Sequence, residues 1–182
     1  PEQVLFVPGI VSGLNLMCRA LCRPGDEVLV QTPVYPPILG AGPNAGLTRG
    51  EMELTRGEDG RYSIDFEAFE RAINERTRLF ILCNPHNPVG RVFTSDELSE
   101  MARICDKHDV LICSDEIHCD LVLDGGTHTP TASLSPEISA RTITLMAPSK
   151  TFNIPGLSCS FAIIENAELR AKFNKAQHGI VP

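Results

Sequence analysis

Apolar residues recur at three- and four-residue spacings between Ile10 and Leu21, where Leu14, Met17, Cys18 and Leu21 form one stripe, and this spacing predicts a helix. Arg23-Pro24-Gly25-Asp26 breaks the pattern before the apolar run Val28-Leu29-Val30, so helix, turn and strand follow in order. Leu47 to Leu54 reads as a second extended segment. Asp65 is placed to cap a helix whose apolar face carries Phe66, Phe69 and Ile73. Leu79 to Cys83 is apolar throughout and reads as a buried strand. Thr94 and Glu97 have capping-box spacing, and Leu98, Met101, Ala102 and Cys105 carry that helix toward a further strand at Val110 to Cys113. Thr142 to Met146 and Ser158 to Ile164 read as extended, and Glu165 to Ala176 as helical. Strands alternating with helices predict an α/β domain with a mainly parallel sheet. No repeat, low-complexity segment or internal linker divides it.

Length and charge narrow the classes. A chain of 182 residues is near the size of one domain and can bury a substantial core. A formal charge of −7 argues against a broad binding surface for nucleic acid or anionic membrane. No apolar stretch reaches membrane-spanning length and Pro1 opens no signal-peptide pattern, so a soluble, cytoplasmic protein is expected. The abrupt start at Pro1 reads as a fragment. The seven cysteines include no Cys-x-x-Cys pair, which favours reduced thiols over disulfides or metal.

Three segments carry the chemistry: Asn84-Pro-His-Asn87-Pro-Val-Gly90, Ser114-Asp115-Glu-Ile-His118 and Ser149-Lys150-Thr-Phe-Asn153, each just after an apolar run. In an α/β sheet, ligands lie beyond the carboxyl ends of the strands, so Asn87, Asp115 and Lys150 are expected to converge. A lysine amine bonds an aldehyde cofactor, and a carboxylate facing a pyridine nitrogen keeps it protonated and turns the ring into an electron sink. Lys150 and Asp115 suit these roles, Asn87 and His118 suit the ring oxygen, and Tyr35 in Thr32-Pro-Val-Tyr35-Pro-Pro suits stacking. Pro8-Gly9-Ile10-Val11-Ser12-Gly13 precedes a predicted helix, so the amides of Ile10 and Val11 offer a phosphate cradle, with Ser12 and Ser149 as hydroxyl donors. The cofactor these groups suit is pyridoxal 5'-phosphate. Taken singly, each segment is more simply a turn, a surface pair or loop packing. Their joint order favours the cofactor.

These segments, with Gln31-Thr-Pro-Val-Tyr-Pro-Pro37 and Ala147-Pro-Ser-Lys-Thr-Phe-Asn-Ile-Pro-Gly156, resemble the large domain of fold-type-I pyridoxal-phosphate enzymes in the class I/II aminotransferase superfamily. The closest resemblance is to the MalY/PatB type of cystathionine β-lyase. It implies a three-layer α/β/α sandwich and makes Lys150 the cofactor-bonding lysine, Asp115 the pyridinium partner and Asn87 the contact to the ring oxygen. It likewise implies Tyr35 as the stacking ring, Ile10 and Val11 as the phosphate loop, and His118 where many relatives have a tyrosine. Many aminotransferases carry an arginine where this chain has Ser158, so its phosphate cup departs from the broader pattern, with Ser149 and Ser158 as contacts.

The implied reaction is β-elimination: the substrate amine displaces Lys150, the freed lysine removes the Cα proton, and a thiolate leaves. Aminoacrylate then hydrolyses to pyruvate and ammonia. Transamination shares the early steps and stands as the alternative, with a non-catalytic regulatory domain of aminotransferase-like fold as a second. The resemblance further implies an amino-acid or thioether substrate, a homodimer when full length, and a chain that is the cofactor domain over residues 1–182. On this reading an N-terminal segment and a C-terminal small domain are absent, and turnover by the domain alone is poor.

Two other readings fail on residue pattern. Leu111 to His118 imitates the Asp-Glu-x-His box of helicase-type ATPases, but no Gly-x-x-x-x-Gly-Lys-Ser/Thr loop accompanies it. A metal site from Asp115, Glu116, His118 and Asp120 requires convergence that strand alternation opposes, leaving Glu116 and Asp120 as local hydrogen-bonding or solvent-facing groups.

Overall fold

The structure is a computed structural model describing residues 2–123 and 125–180. Its order is β1 (Val4–Val7), α1 (Ile10–Leu21), β2 (Glu27–Thr32), α2 (Pro36–Asn44), β3 (Thr48–Glu53), β4 (Thr55–Arg56), β5 (Tyr62–Ser63), α3 (Phe66–Ala72), β6 (Thr77–Cys83), α4 (Ser95–Lys107), β7 (Leu111–Asp115), α5 (Pro136–Ala140), β8 (Thr142–Met146), β9 (Ser160–Ile163) and α6 (Ala167–Gln177). Seven strands form one sheet in the order β1-β9-β8-β7-β6-β2-β3, while β4 and β5 pair separately.

Strand alternation divides the core. Leu79, Ile81 and Cys83 of β6 face a cluster built with α1, α2 and α6, whereas Phe80 and Leu82 face one built with α3 and α4. Helices on both faces make three layers, and the central strand β6, buried on both sides, is apolar from Leu79 to Cys83. Phe80 is fully buried and meets Phe69 edge to face, with ring centroids 4.8 Å apart. Phe80→Ala is expected to cost about 3–5 kcal/mol, read as a lowered urea midpoint at unchanged slope.

Local chemistry set several boundaries as expected. The Asp65 side chain accepts from the Ala68 N–H at 2.9 Å and caps α3. Thr94 and Glu97 complete a reciprocal capping box at the start of α4.

The sheet differs from expectation at one edge. Strands β3, β2, β6, β7 and β8 pair in parallel, but β9 is antiparallel to both β8 and β1. The expected extended run from Ser158 is also shorter. Pro155–Leu157 form a 3₁₀ turn, and Ser158 adopts φ 48° in the left-handed region, so β9 begins at Ser160. Proline has no N–H to give a sheet, which favours a turn there. Helix α2 was not foreseen, because Pro36 and Pro37 read as loop; at the first turn of a helix their missing N–H groups cost nothing.

Candidate active site

Strands β6, β7 and β8 are parallel neighbours, so their carboxyl ends share one edge of the sheet. Asn87 follows β6, Asp115 is the last residue of β7, and Lys150 follows β8. The antiparallel β9 enters from that same edge at Ser160, opposite Val7, where β1 ends and the chain turns into α1. A cavity of about 250 Å³ lies there. Ile10, Val11, Tyr35, Asn87, Asp115, His118, Ser149 and Lys150 all line it, as do Ser12 and Ser158.

The cradle at α1 follows from Gly9. Its φ of 94° and ψ of 147° are rarely accessible to residues with a Cβ, and it caps the helix with no side-chain hydrogen bond. The first-turn N–H groups therefore lack a side-chain cap, and no acidic residue occupies that turn. Such a terminus attracts an anion.

Asp115 stands opposite in charge. It is 4% exposed and receives the Ile117 N–H at 3.3 Å. Burial pushes its carboxyl up to about 7, the Ile117 N–H opposes this, and the neighbouring Glu116 charge adds to it. A cationic N–H in the cavity would relieve that burial. His118, on the turn after β7, is pushed below its ordinary value by burial and then by the Lys150 charge, against the Pro85 carbonyl.

Backbone contacts fix the loops that carry these groups. The Tyr35 N–H donates to the Asn87 carbonyl at 3.0 Å, and the His86 ring lies 2.9 Å from the Pro33 carbonyl and 3.1 Å from the Cys83 carbonyl. Tyr35 is 43% exposed and stands at the cavity mouth. The Thr151 hydroxyl donates to Asp120 at 2.8 Å, tying the Lys150 turn to the His118 turn. The site therefore offers a primary amine, a buried carboxylate and an amide-lined helix end around one cavity. That donor set fits a phosphorylated pyridine aldehyde.

The lining residues to which the sequence reading gave no role include Cys83 and Ser160. Cys83 continues the alternation of Leu79 and Ile81, and that parity alone was enough to aim it at the cavity. Burial, then Asp115, pushes its thiol up to about 12, so it forms a neutral wall. Ser160 lines the cavity because β9 runs antiparallel, which no local pattern announces. Glu116, expected to be a local hydrogen-bonding or solvent-facing group, is fully buried away from the cavity among Ser114, His128 and Thr131. All seven cysteines are free, with Cys18, Cys83, Cys105 and Cys113 buried. Among the described residues, no helix is long and apolar enough to cross a membrane.

Known proteins share this sequence and arrangement. The family model for aminotransferase class I and II matches residues 1–181. Cystathionine beta-lyase PatB of Bacillus subtilis is 45% identical over 175 residues, covering 96% of this chain and 45% of that protein. An aspartate aminotransferase of Geobacillus stearothermophilus is 31% identical, over 98% of this chain and 45% of that protein. The crystal structure of cystalysin from Treponema denticola, which contains pyridoxal 5'-phosphate, superposes with a TM-score of 0.94 at 38% identity, over 97% of this chain and 45% of that one. This chain thus spans about half the length of the relatives it matches.

Proposed function

Because this chain belongs to the class I and II aminotransferase family, we propose that it is the cofactor-holding domain of a pyridoxal-phosphate-dependent carbon–sulfur β-lyase acting on cystathionine or a related thioether amino acid. The observation that carries the reading is the meeting of Lys150, Asp115, Asn87 and the α1 N-terminus at one cavity. When bound, pyridoxal phosphate supplies an aldehyde that bonds amines and a ring that draws electron density from the substrate Cα.

The chain's own residues perform the remaining tasks. The N–H groups of Ile10 and Val11 and the hydroxyls of Ser12 and Ser149 would bind the phosphate. Asp115 would pair with the ring nitrogen and keep a proton on it, and Asn87 with His118 would hold the ring oxygen. Tyr35 would stack on the ring and limit water at the mouth. The Lys150 Nζ would bond the aldehyde and would serve as the base for the Cα proton of the substrate.

Greater identity to the relative named cystathionine beta-lyase than to the aspartate aminotransferase favours elimination over transfer. The proposal includes a cytoplasmic homodimer: free thiols suit a reducing compartment, and exposed Phe6, Phe152 and Leu157 leave apolar surface for a partner. The test is to supply cystathionine and pyridoxal phosphate to the protein with all the sequence its reading frame encodes, without any 2-oxo acid. Pyruvate, ammonia and a free thiol in equal amounts are expected. Product formation that requires an added 2-oxo acid would identify a transaminase instead.

A further inference from the structure

Asp115 and Glu116 are consecutive carboxylates at the end of β7, and both are buried. The alternation of the chain turns them apart: Asp115 faces the cavity and Glu116 faces a closed polar network. Oε1 of Glu116 accepts the Ser114 hydroxyl at 2.8 Å and the Thr131 N–H at 3.0 Å, and Oε2 meets His128 Nε2 at 2.8 Å. The His128 side chain is 7% exposed, and its Nδ1 has no partner among the described residues, so Nε2 is the nitrogen that donates. The Glu116 N–H is also fixed, to the Leu145 carbonyl at 2.9 Å. A carboxylate this enclosed is an expensive feature unless its charge is used or fully compensated. None of the roles assigned above uses it.

From this geometry we propose that Glu116 is a positioning residue for charge: its carboxylate, bonded by Ser114, Thr131 and His128, sets a second negative charge behind Asp115 that helps keep a proton at the cavity end of β7. In the apoprotein that proton sits on the Asp115 carboxyl. With the cofactor bound it sits on the ring nitrogen, and this half of the inference rests on the pyridoxal-phosphate reading.

The surrounding charges are consistent with a modest, directional effect. Lys150 and His118 line the other side of the cavity, and the positive charge of Lys150 works against proton retention. The Cys83 and Cys113 thiols beside Asp115 are held neutral by burial. Burial is the larger cause of the raised Asp115 affinity for a proton and Glu116 the smaller.

The test is an NMR pH titration of the Asp115 carboxyl carbon in the apoprotein, which needs no cofactor. Glu116→Gln preserves size and hydrogen bonding, because the amide oxygen accepts from Ser114 and Thr131 while His128 switches tautomer to accept the amide N–H. The Asp115 midpoint is expected to fall by about half to one pH unit. In the loaded protein, the pH at which the bound cofactor's absorption reports loss of the ring proton should fall in the same direction. His128→Asn withdraws a hydrogen bond that favours the charged carboxylate of Glu116 and should lower the Asp115 midpoint in the same direction, so it tests the idea even where Glu116→Gln fails to fold. An Asp115 midpoint that ignores Glu116→Gln, or one that rises in His128→Asn, would overturn the proposal and leave Glu116 a purely structural anchor. Failure of the cofactor reading would remove the absorption signal and leave the apoprotein titration intact.

Discussion

Lys150→Ala is expected to abolish covalent attachment of pyridoxal phosphate and to lower turnover by at least about 10³-fold, since in the proposed function one amine serves both as the anchor and as the base at Cα. The turn that carries Lys150 is held by its own backbone, with the Phe152 N–H on the Pro148 carbonyl at 2.9 Å and the Ile154 N–H on the Ser149 carbonyl at 3.0 Å. Neither contact uses the lysine side chain, so folding should be little changed. The helix end and Asp115 should still hold the cofactor non-covalently. The check is a borohydride-reduced sample of the variant, in which the cofactor should wash away on gel filtration in denaturant. Retained label at another lysine would refute the assignment.

Asp115→Asn should separate function from stability. The folded-state pKa of Asp115, about 7, lies above the ordinary 3.8 because burial disfavours the charged form. The native apoprotein therefore binds this proton more tightly than the unfolded chain. That contribution to stability is fully present below the unfolded value and is lost as pH rises through about 7. Above that pH the buried carboxylate burdens the fold by about 4 kcal/mol as an upper bound. A neutral amide removes most of this burden, so the apoprotein variant should melt higher than wild type at pH values above about 7. The difference should vanish in acid. Turnover should fall by about 10²–10³-fold, because the amide cannot pair with a protonated ring nitrogen. Parallel melting curves at all pH values would show that Asp115 is not buried as a charge.

Much of this site was legible because its parts lie on strongly patterned strands. β6 carries the apolar run Leu79–Cys83 and β8 is a run of β-branched and apolar residues, and each leads directly into a segment bearing Asn87 or Lys150. β7 ends on Asp115 itself. Parallel pairing then brings these ends together without any local signal for contact. The α1 boundaries follow from its apolar stripe and Gly9, and the capping groups at Asp65 and Thr94 act within one turn. Features made by distant partners were not legible. β1 pairs with β9 across most of the chain, and Glu116 meets His128 through a loop with no periodicity. Tyr35 lines the cavity, but the helix that begins at Pro36 was hidden by proline's usual association with loops.

The most direct test of the central claim is to add pyridoxal phosphate to the protein, follow its visible absorption, reduce with borohydride and map the modified residue by mass spectrometry. The account predicts a new absorption band, stoichiometric modification and a single labelled lysine, Lys150. Label scattered over the surface lysines, with no absorption band, would contradict it.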